Sequence, residues 1–155
     1  VLESVSLVPI GYVRSTRTEP EDDAWGDVES VIAIDERFPL QSLAGLDDFS
    51  HVEVVYLFHR VDPEVVTLGA RHPRGLEHLP RVGVFAQRNK NRPNRIGVSR
   101  CSIVGIDGRN VTVRGLDAID GTPVLDLKPH FAILVPPHNT VREPEWVEEI
   151  MREYF

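Results

Sequence analysis

The chain has 155 residues, with 24 carboxylates against 17 lysines and arginines and a formal net charge of −7. That length accommodates one domain, residues 1–155, with a sizeable core. The acidic balance argues against nonspecific nucleic-acid binding by the whole surface and leaves room for a local basic patch. No apolar run approaches the roughly 20 residues of a membrane-spanning helix, so no membrane partner is expected. The opening Val1-Leu2-Glu3 lacks the basic-then-apolar pattern of a signal peptide, and the lone Cys101 has no disulfide partner. Both features fit a reducing, cytoplasmic location.

Taken in chain order, residues 5–13 (VSLVPIGYV) read as a first strand. Residues 16–27 are polar and acidic, carry Pro20 and Gly26, and read as a loop. Residues 28–34 form a second strand, and 39–45 a short helix between Pro39 and Gly45. Residues 52–59 (VEVVYLFH) give the strongest strand signal, being mostly β-branched and aromatic. Residues 63–80 have no clear period and read as a long excursion, followed by a short strand at 82–86. Residues 96–106 and 111–116 flank Asp107-Gly108-Arg109-Asn110, a hairpin signal, and 122–127 form a further strand. In residues 144–155, Trp146, Val147, Ile150, Met151 and Tyr154 share one helical face. Many short strands, short helices and one C-terminal helix predict a mainly β fold, a small antiparallel β-barrel.

Two segments carry chemistry. In residues 83–99 (GVFAQRNKNRPNRIGVS), Arg88, Lys90, Arg92 and Arg95 crowd a stretch without an acid. Such a loop either turns guanidinium forks and backbone N–H groups toward one anion or is simply a solvated face. In residues 115–130 (GLDAIDGTPVLDLKPH), Asp117, Asp120 and Asp126 fall close together around Gly121 and Pro123. Asp120 either caps its own turn or serves as a carboxylate that holds hydroxyls or an amine, or takes a proton. Lys128 faces either an anionic substrate or an aspartate partner. The six histidines show no ligand spacing, so no metal is expected. Phosphate-loop and dinucleotide fingerprints are missing too. Cys101, among strand residues, reads as a packed thiol.

Together the two segments resemble the TrmO-like (TsaA-like) family. Its hallmark is a GVFATRSPxRPNPIG-like stretch followed by D-x-x-DGTPVLDIKPY. Ile10-Gly11-Tyr12-Val13-Arg14-Ser15 and the segment from Phe49 to His59 match as well, so the resemblance covers roughly residues 5–135. Departures fall at Gln87, Asn89, Arg95 and His130, where the family has Thr, Ser, Pro and Tyr.

The resemblance implies a barrel that binds S-adenosylmethionine (SAM), dimerises with the cofactor near the subunit interface, and methylates N6-threonylcarbamoyladenosine in tRNA. Cofactor contacts carried over by position fall on Arg88, Val98, Ile119 and Asp120. His59 and Arg60, at the end of the long strand, are further matches, and Trp25 comes from the loop after the first strand. Asp120 is the expected proton acceptor or a ribose or amine contact, and Arg92, with Arg88, the expected anion ligand. The bacterial tRNA enzymes carry a further C-terminal region, whereas this sequence stops soon after its helix. That leaves two alternatives: a SAM-binding module without methyl transfer, and a methyltransferase for a small metabolite or a protein.

Overall fold

In the computed structural model, which describes residues 2–155, the alternating β-branched runs become strands with every second side chain turned into one barrel. The strands are β1 (Gly11–Ser15), β2 (Glu29–Ile34), β3 (His51–Leu57), β4 (Ala70–Arg71), β5 (Val82–Gly83), β6 (Ile96–Asp107), β7 (Asn110–Arg114) and β8 (Pro123–Pro129). Six of them close into an antiparallel barrel in the order β1-β2-β7-β6-β3-β8, while β4 and β5 pair separately. Among the described residues, closure leaves the barrel itself without an edge strand.

The inward face is built by period-two alternation. Val52, Val54 and Tyr56 of β3, Val111 and Val113 of β7, and Ile32 of β2 are buried together. Fully burying each such side chain is worth about 1.5–3 kcal/mol. Gly108, with φ of +56°, turns β6 into β7 as the Asp-Gly signal predicts. The seam between β1 and β8 is short, pairing Gly11 with Val124 and Tyr12 with Pro123. Pro123 has no N–H to give and is tolerated because it opens its strand.

Several expected elements are shorter. The first strand begins at Gly11 rather than at residue 5, because Pro9 cannot donate and Val5, Leu7 and Val8 face solvent without a partner strand. The helix expected at 39–45 is a 3-10 turn, Leu40–Leu43, ended at Gly45 with φ of +83°. The strand expected at 82–86 lasts two residues before a 3-10 turn, Val84–Ala86. The C-terminal helix α1 spans only Trp146–Met151. Beyond it the carbonyls of Glu153 and Tyr154 accept hydrogen bonds from the amides of Ala24 and Trp25, at 2.8 Å each. This backbone pairing replaces the helical bonds expected over those residues. Among the described residues no helix is long and apolar enough to cross a membrane.

Gly97 of β6 lies against aromatic rings. A Cβ there would meet the Tyr56 ring at 2.5 Å and Phe58 at 2.9 Å. Tyr56 is buried, so it has little room to yield. Gly97→Ala is expected to cost about 1–3 kcal/mol of stability through overpacking. A urea-unfolding comparison with the parent protein checks this, and an unchanged midpoint refutes it.

Candidate functional site

The basic loop before β6 has almost no regular structure, so its carbonyls need donors from side chains. Gln87 is its hub. Its buried amide donates to the carbonyls of Arg71 (3.1 Å) and Val82 (2.9 Å), while its Oε1 accepts from Asn89 at 3.1 Å. Arg92 donates to the Gln87 carbonyl at 2.7 Å, and Arg95 to the Val61 carbonyl at 2.7 Å. The amide of Phe58 donates to the Arg95 carbonyl at 2.8 Å. Asn94 and Arg95 both take left-handed backbone, at φ of +61° and +51°. Asn tolerates that region, whereas at Arg95 it is held by these contacts.

Arg88 stands exposed at the start of this loop and donates one N–H to the Val98 carbonyl at 3.1 Å. Val98 itself is an apolar side chain left 46% exposed on the barrel wall. Lys90 is paired with Asp22 at 3.0 Å.

The carboxylate turn lies before β8. Asp120 does not cap its own turn: its Oδ1 accepts from the amide of Ser15 at 2.9 Å, and its amide donates to the Arg17 carbonyl at 2.7 Å. Gly121, with φ of +78°, lets the chain turn and donate to the Val13 carbonyl. Beside Asp120 an open groove of about 530 Å³ is lined by Arg14, Thr16, Glu29 and Thr112 among others. Lys128 pairs with Asp126 at 3.0 Å. Ile119 packs its side chain inward.

The end of β3 touches both segments. Phe58 is bonded to the basic loop, and a Cβ placed on Gly121 would lie 3.8 Å from His59 Nε2. Partial burial, then the neighbouring Arg60 charge, holds the His59 imidazolium below its ordinary pKa. Arg60 reaches the Thr18 carbonyl at 2.7 Å and Glu19 at 3.3 Å. The fold thus gathers His59, Arg60, Asp120 and the basic loop at one end of the barrel. Arg88 and Val98 do not line the groove beside Asp120. Trp25 is a core residue, 1% exposed, with Arg17 stacked 4.3 Å from its ring centroid and its indole N–H donated to Glu21. Cys101 is buried and its thiol is pushed up to about 12 by that burial, so it stays protonated.

One pair is not legible at sequence level. Asp117 is largely enclosed and accepts a 2.5 Å hydrogen bond from the hydroxyl of Tyr154, 37 residues away. Burial raises the Asp117 carboxyl to about 6, against the lowering effect of that hydrogen bond. Nothing in the spacing of Asp117, Asp120 and Asp126 singles out the first as the enclosed one.

Residues 14–134 match the family model of the tRNA-methyltransferase O N-terminal domain. The chain belongs to this family. A human relative, tRNA (adenine(37)-N6)-methyltransferase, is 38% identical over 155 residues, covering 92% of this chain and 34% of its own length. A protein of Methanothermobacter thermautotrophicus, named "Probable S-adenosyl-L-methionine-binding protein", is 36% identical, covering 82% of this chain and 90% of its own. Among solved structures, TrmO from Pseudomonas aeruginosa superposes with a TM-score of 0.71 at 30% identity, over 90% of this chain and 61% of that one. Two further curated relatives, from Pseudomonas aeruginosa and Mus musculus, are spanned over only 56% and 23% of their lengths. The family match contains both the basic loop and the carboxylate turn.

The enclosed Asp117 has a pH signature. Its folded carboxyl lies at about 6 against an ordinary 3.8, so the folded state holds the proton more tightly than the unfolded chain. Its contribution to stability is fully present below the ordinary value and is lost as pH rises through about 6. Compared with Asp117→Asn, the parent protein is expected to lose up to about 3 kcal/mol between about pH 4 and pH 7.5. Urea unfolding of both proteins at the two pH values measures this, and parallel pH profiles contradict it.

Proposed function

We propose that this chain is the catalytic domain of a SAM-dependent methyltransferase whose acceptor is tRNA, at adenine N6 of position 37 or its threonylcarbamoyl derivative. The observation that carries the reading is the placement of the basic loop and the carboxylate turn, both inside the family match, against the same end of β3. The names of the human and Pseudomonas aeruginosa relatives supply the activity and the acceptor. We further propose a homodimer working in the cytoplasm, to which a single enclosed thiol is suited.

The donor set suits such a cofactor. Arg88 has N–H groups beyond the one given to Val98, enough to hold a carboxylate. Val98 offers an exposed apolar face for an adenine ring. Asp120 spends Oδ1 on Ser15 and keeps Oδ2 for ribose hydroxyls, an ammonium or a proton. His59 and Arg60 border the same end, whereas Trp25 and Ile119 shape it from within the core. When bound, SAM supplies an electrophilic methyl group on a sulfonium, which makes the transfer itself downhill. The chain's own work is then positioning: Arg88 and Arg92 fix anionic groups, and Asp120 stands ready to take the proton of an exocyclic nitrogen. Arg92 does this with what remains after its bond to Gln87, so its first task is to hold the loop.

A reading without methyl transfer is favoured by one observation. The Methanothermobacter relative named only for SAM binding is matched over nearly its whole length, unlike the methyltransferases. A methyl acceptor among small metabolites or proteins is the remaining alternative. Incubation with labelled SAM and fractionated cell extract separates these readings: label in RNA supports the proposal, label in protein or small molecules moves the acceptor, and no label leaves a binding module.

Two substitutions test the residues. Arg88→Ala is expected to weaken SAM binding at least about tenfold in calorimetry while the melting curve holds. Unchanged affinity removes Arg88 from the site. Asp120→Asn keeps an acceptor for Ser15 and is expected to lower turnover by about 10²-fold or more with little change in SAM affinity. Equal losses in both reduce Asp120 to a binding contact.

A further inference from the structure

Four of the five carboxylates in the loop after β1 are taken up by cations. Glu19 meets Arg60 at 3.3 Å, Glu21 meets Arg17 at 3.5 Å, Asp22 meets Lys90 at 3.0 Å, and Asp23 meets Arg74 at 2.7 Å. Arg17 belongs to the same loop, but Arg60, Arg74 and Lys90 come from three separate segments of chain. Arg74 clasps Asp23 through both guanidinium ends, at 2.9 and 2.7 Å, from a left-handed backbone at φ of +51°. Positive residues that are distant in sequence therefore converge on one acidic strap.

The strap is held at its two ends and lightly in between. At one end the Arg17 carbonyl accepts from the Asp120 amide; at the other the amides of Ala24 and Trp25 are bonded to the C-terminal tail and the Trp25 ring is buried. Among the described residues, no backbone amide of residues 18–23 donates to a backbone carbonyl. Side-chain donors hold three of its carbonyls, Arg60 that of Thr18 (2.7 Å), the Trp25 indole that of Glu21 (3.2 Å) and Arg17 that of Asp23 (2.8 Å). The remaining hold is the ion pairs, and Glu19, Glu21 and Asp22 are each more than 60% exposed on their side chains. Exposed pairs of this kind are weak and salt-screened.

We propose that residues 19–23 mimic the phosphates of an RNA backbone, and that Arg60, Arg74 and Lys90 form an RNA-docking surface which the strap occupies until the acceptor displaces it. The inference rests on the tRNA reading above. Charge complementarity identifies the occupant: Glu19, Asp22 and Asp23 of one bent loop engage these cations one by one, as phosphates along an RNA strand do. It also accounts for how a chain of net charge −7 can have an RNA-binding face. The positive surface is present, and the strap neutralises it locally.

The test uses the triple variant Glu19→Gln, Asp22→Asn, Asp23→Asn. Binding of a fluorescently labelled, unmodified tRNA transcript is followed by anisotropy at about 50 and 200 mM salt. The variant is expected to bind at least about tenfold tighter than the parent protein at the lower salt, with the gain shrinking at the higher. Adding Lys90→Gln to the variant is expected to remove much of that gain. The single substitution Asp22→Asn gives the same direction with a smaller effect if the triple variant folds poorly. Equal affinity for the transcript in parent and variants, or no binding by any of them, overturns the strap. SAM titrations on the same samples keep the two ideas apart: intact cofactor binding with unaltered RNA binding sinks only the strap, whereas loss of cofactor binding in the parent protein sinks the function it rests on.

Discussion

The barrel closes through its weakest seam, and the candidate site is built on that closure. β1 and β8 share only two paired positions, so backbone bonds flanking them carry much of the join. Ile10 donates to the Val124 carbonyl, Val13 to that of Thr122, and Gly121 to that of Val13. Asp120 extends the same seam by accepting from the Ser15 amide. A buried or half-buried amide without an acceptor costs about as much as the bond it loses, so the carboxylate is fixed in place by the demands of the fold. Its second oxygen is thereby aimed without any further ordering cost. A turn of modest length thus holds a charged group in a fixed orientation.

The basic loop follows the same logic with the opposite sign. A segment that makes neither helix nor sheet has carbonyls to satisfy, and guanidinium forks satisfy them. Arg88, Arg92 and Arg95 each give an N–H to a main-chain carbonyl. The cationic cluster is thus structural in its first contacts, with further N–H groups left on each fork. Gln87 stands at the centre of this arrangement, where the family pattern has Thr. Its longer amide spans three partners, one of them Asn89, itself a departure from the family pattern.

Sequence patterning made the barrel legible because period-two burial is a strong signal wherever β-branched residues alternate, as in β3 and β7. It failed where an apolar residue had no partner strand to cover it: Val5 and Leu7 look like strand residues and lie exposed. At the C-terminus it held for Trp146 and Ile150, which lie in α1, and failed at Tyr154, where the helix has given way to backbone pairing of Glu153 and Tyr154 with Ala24 and Trp25. The two motifs carrying the site were readable as motifs. Their meeting at the end of β3 was not, since neither spacing nor composition encodes which strand ends adjoin. Trp25 comes from the resemblance as a ligand contact, and in the fold its enclosed ring anchors the loop, a packing role that sequence alone does not spell.

That anchor links the remaining parts. The tail residue Tyr154 pins Trp25 through its carbonyl and Asp117 through its hydroxyl. Asp117 lies three residues before Asp120, so one short segment holds the tail at one point and the barrel seam at the next. Arg17 completes the circuit, with its carbonyl on Asp120 and its guanidinium over Trp25. A displacement of the acidic loop that spared Trp25 would leave these bonds intact, because residues 19–22 sit between them rather than within them. The architecture therefore separates a rigid frame, made of main-chain and enclosed contacts, from a short exposed span held by ion pairs and a few side-chain hydrogen bonds. Only the second can exchange one anion for another without disturbing the barrel, and it lies directly against the end of β3 where His59 and Arg60 meet the Asp120 turn.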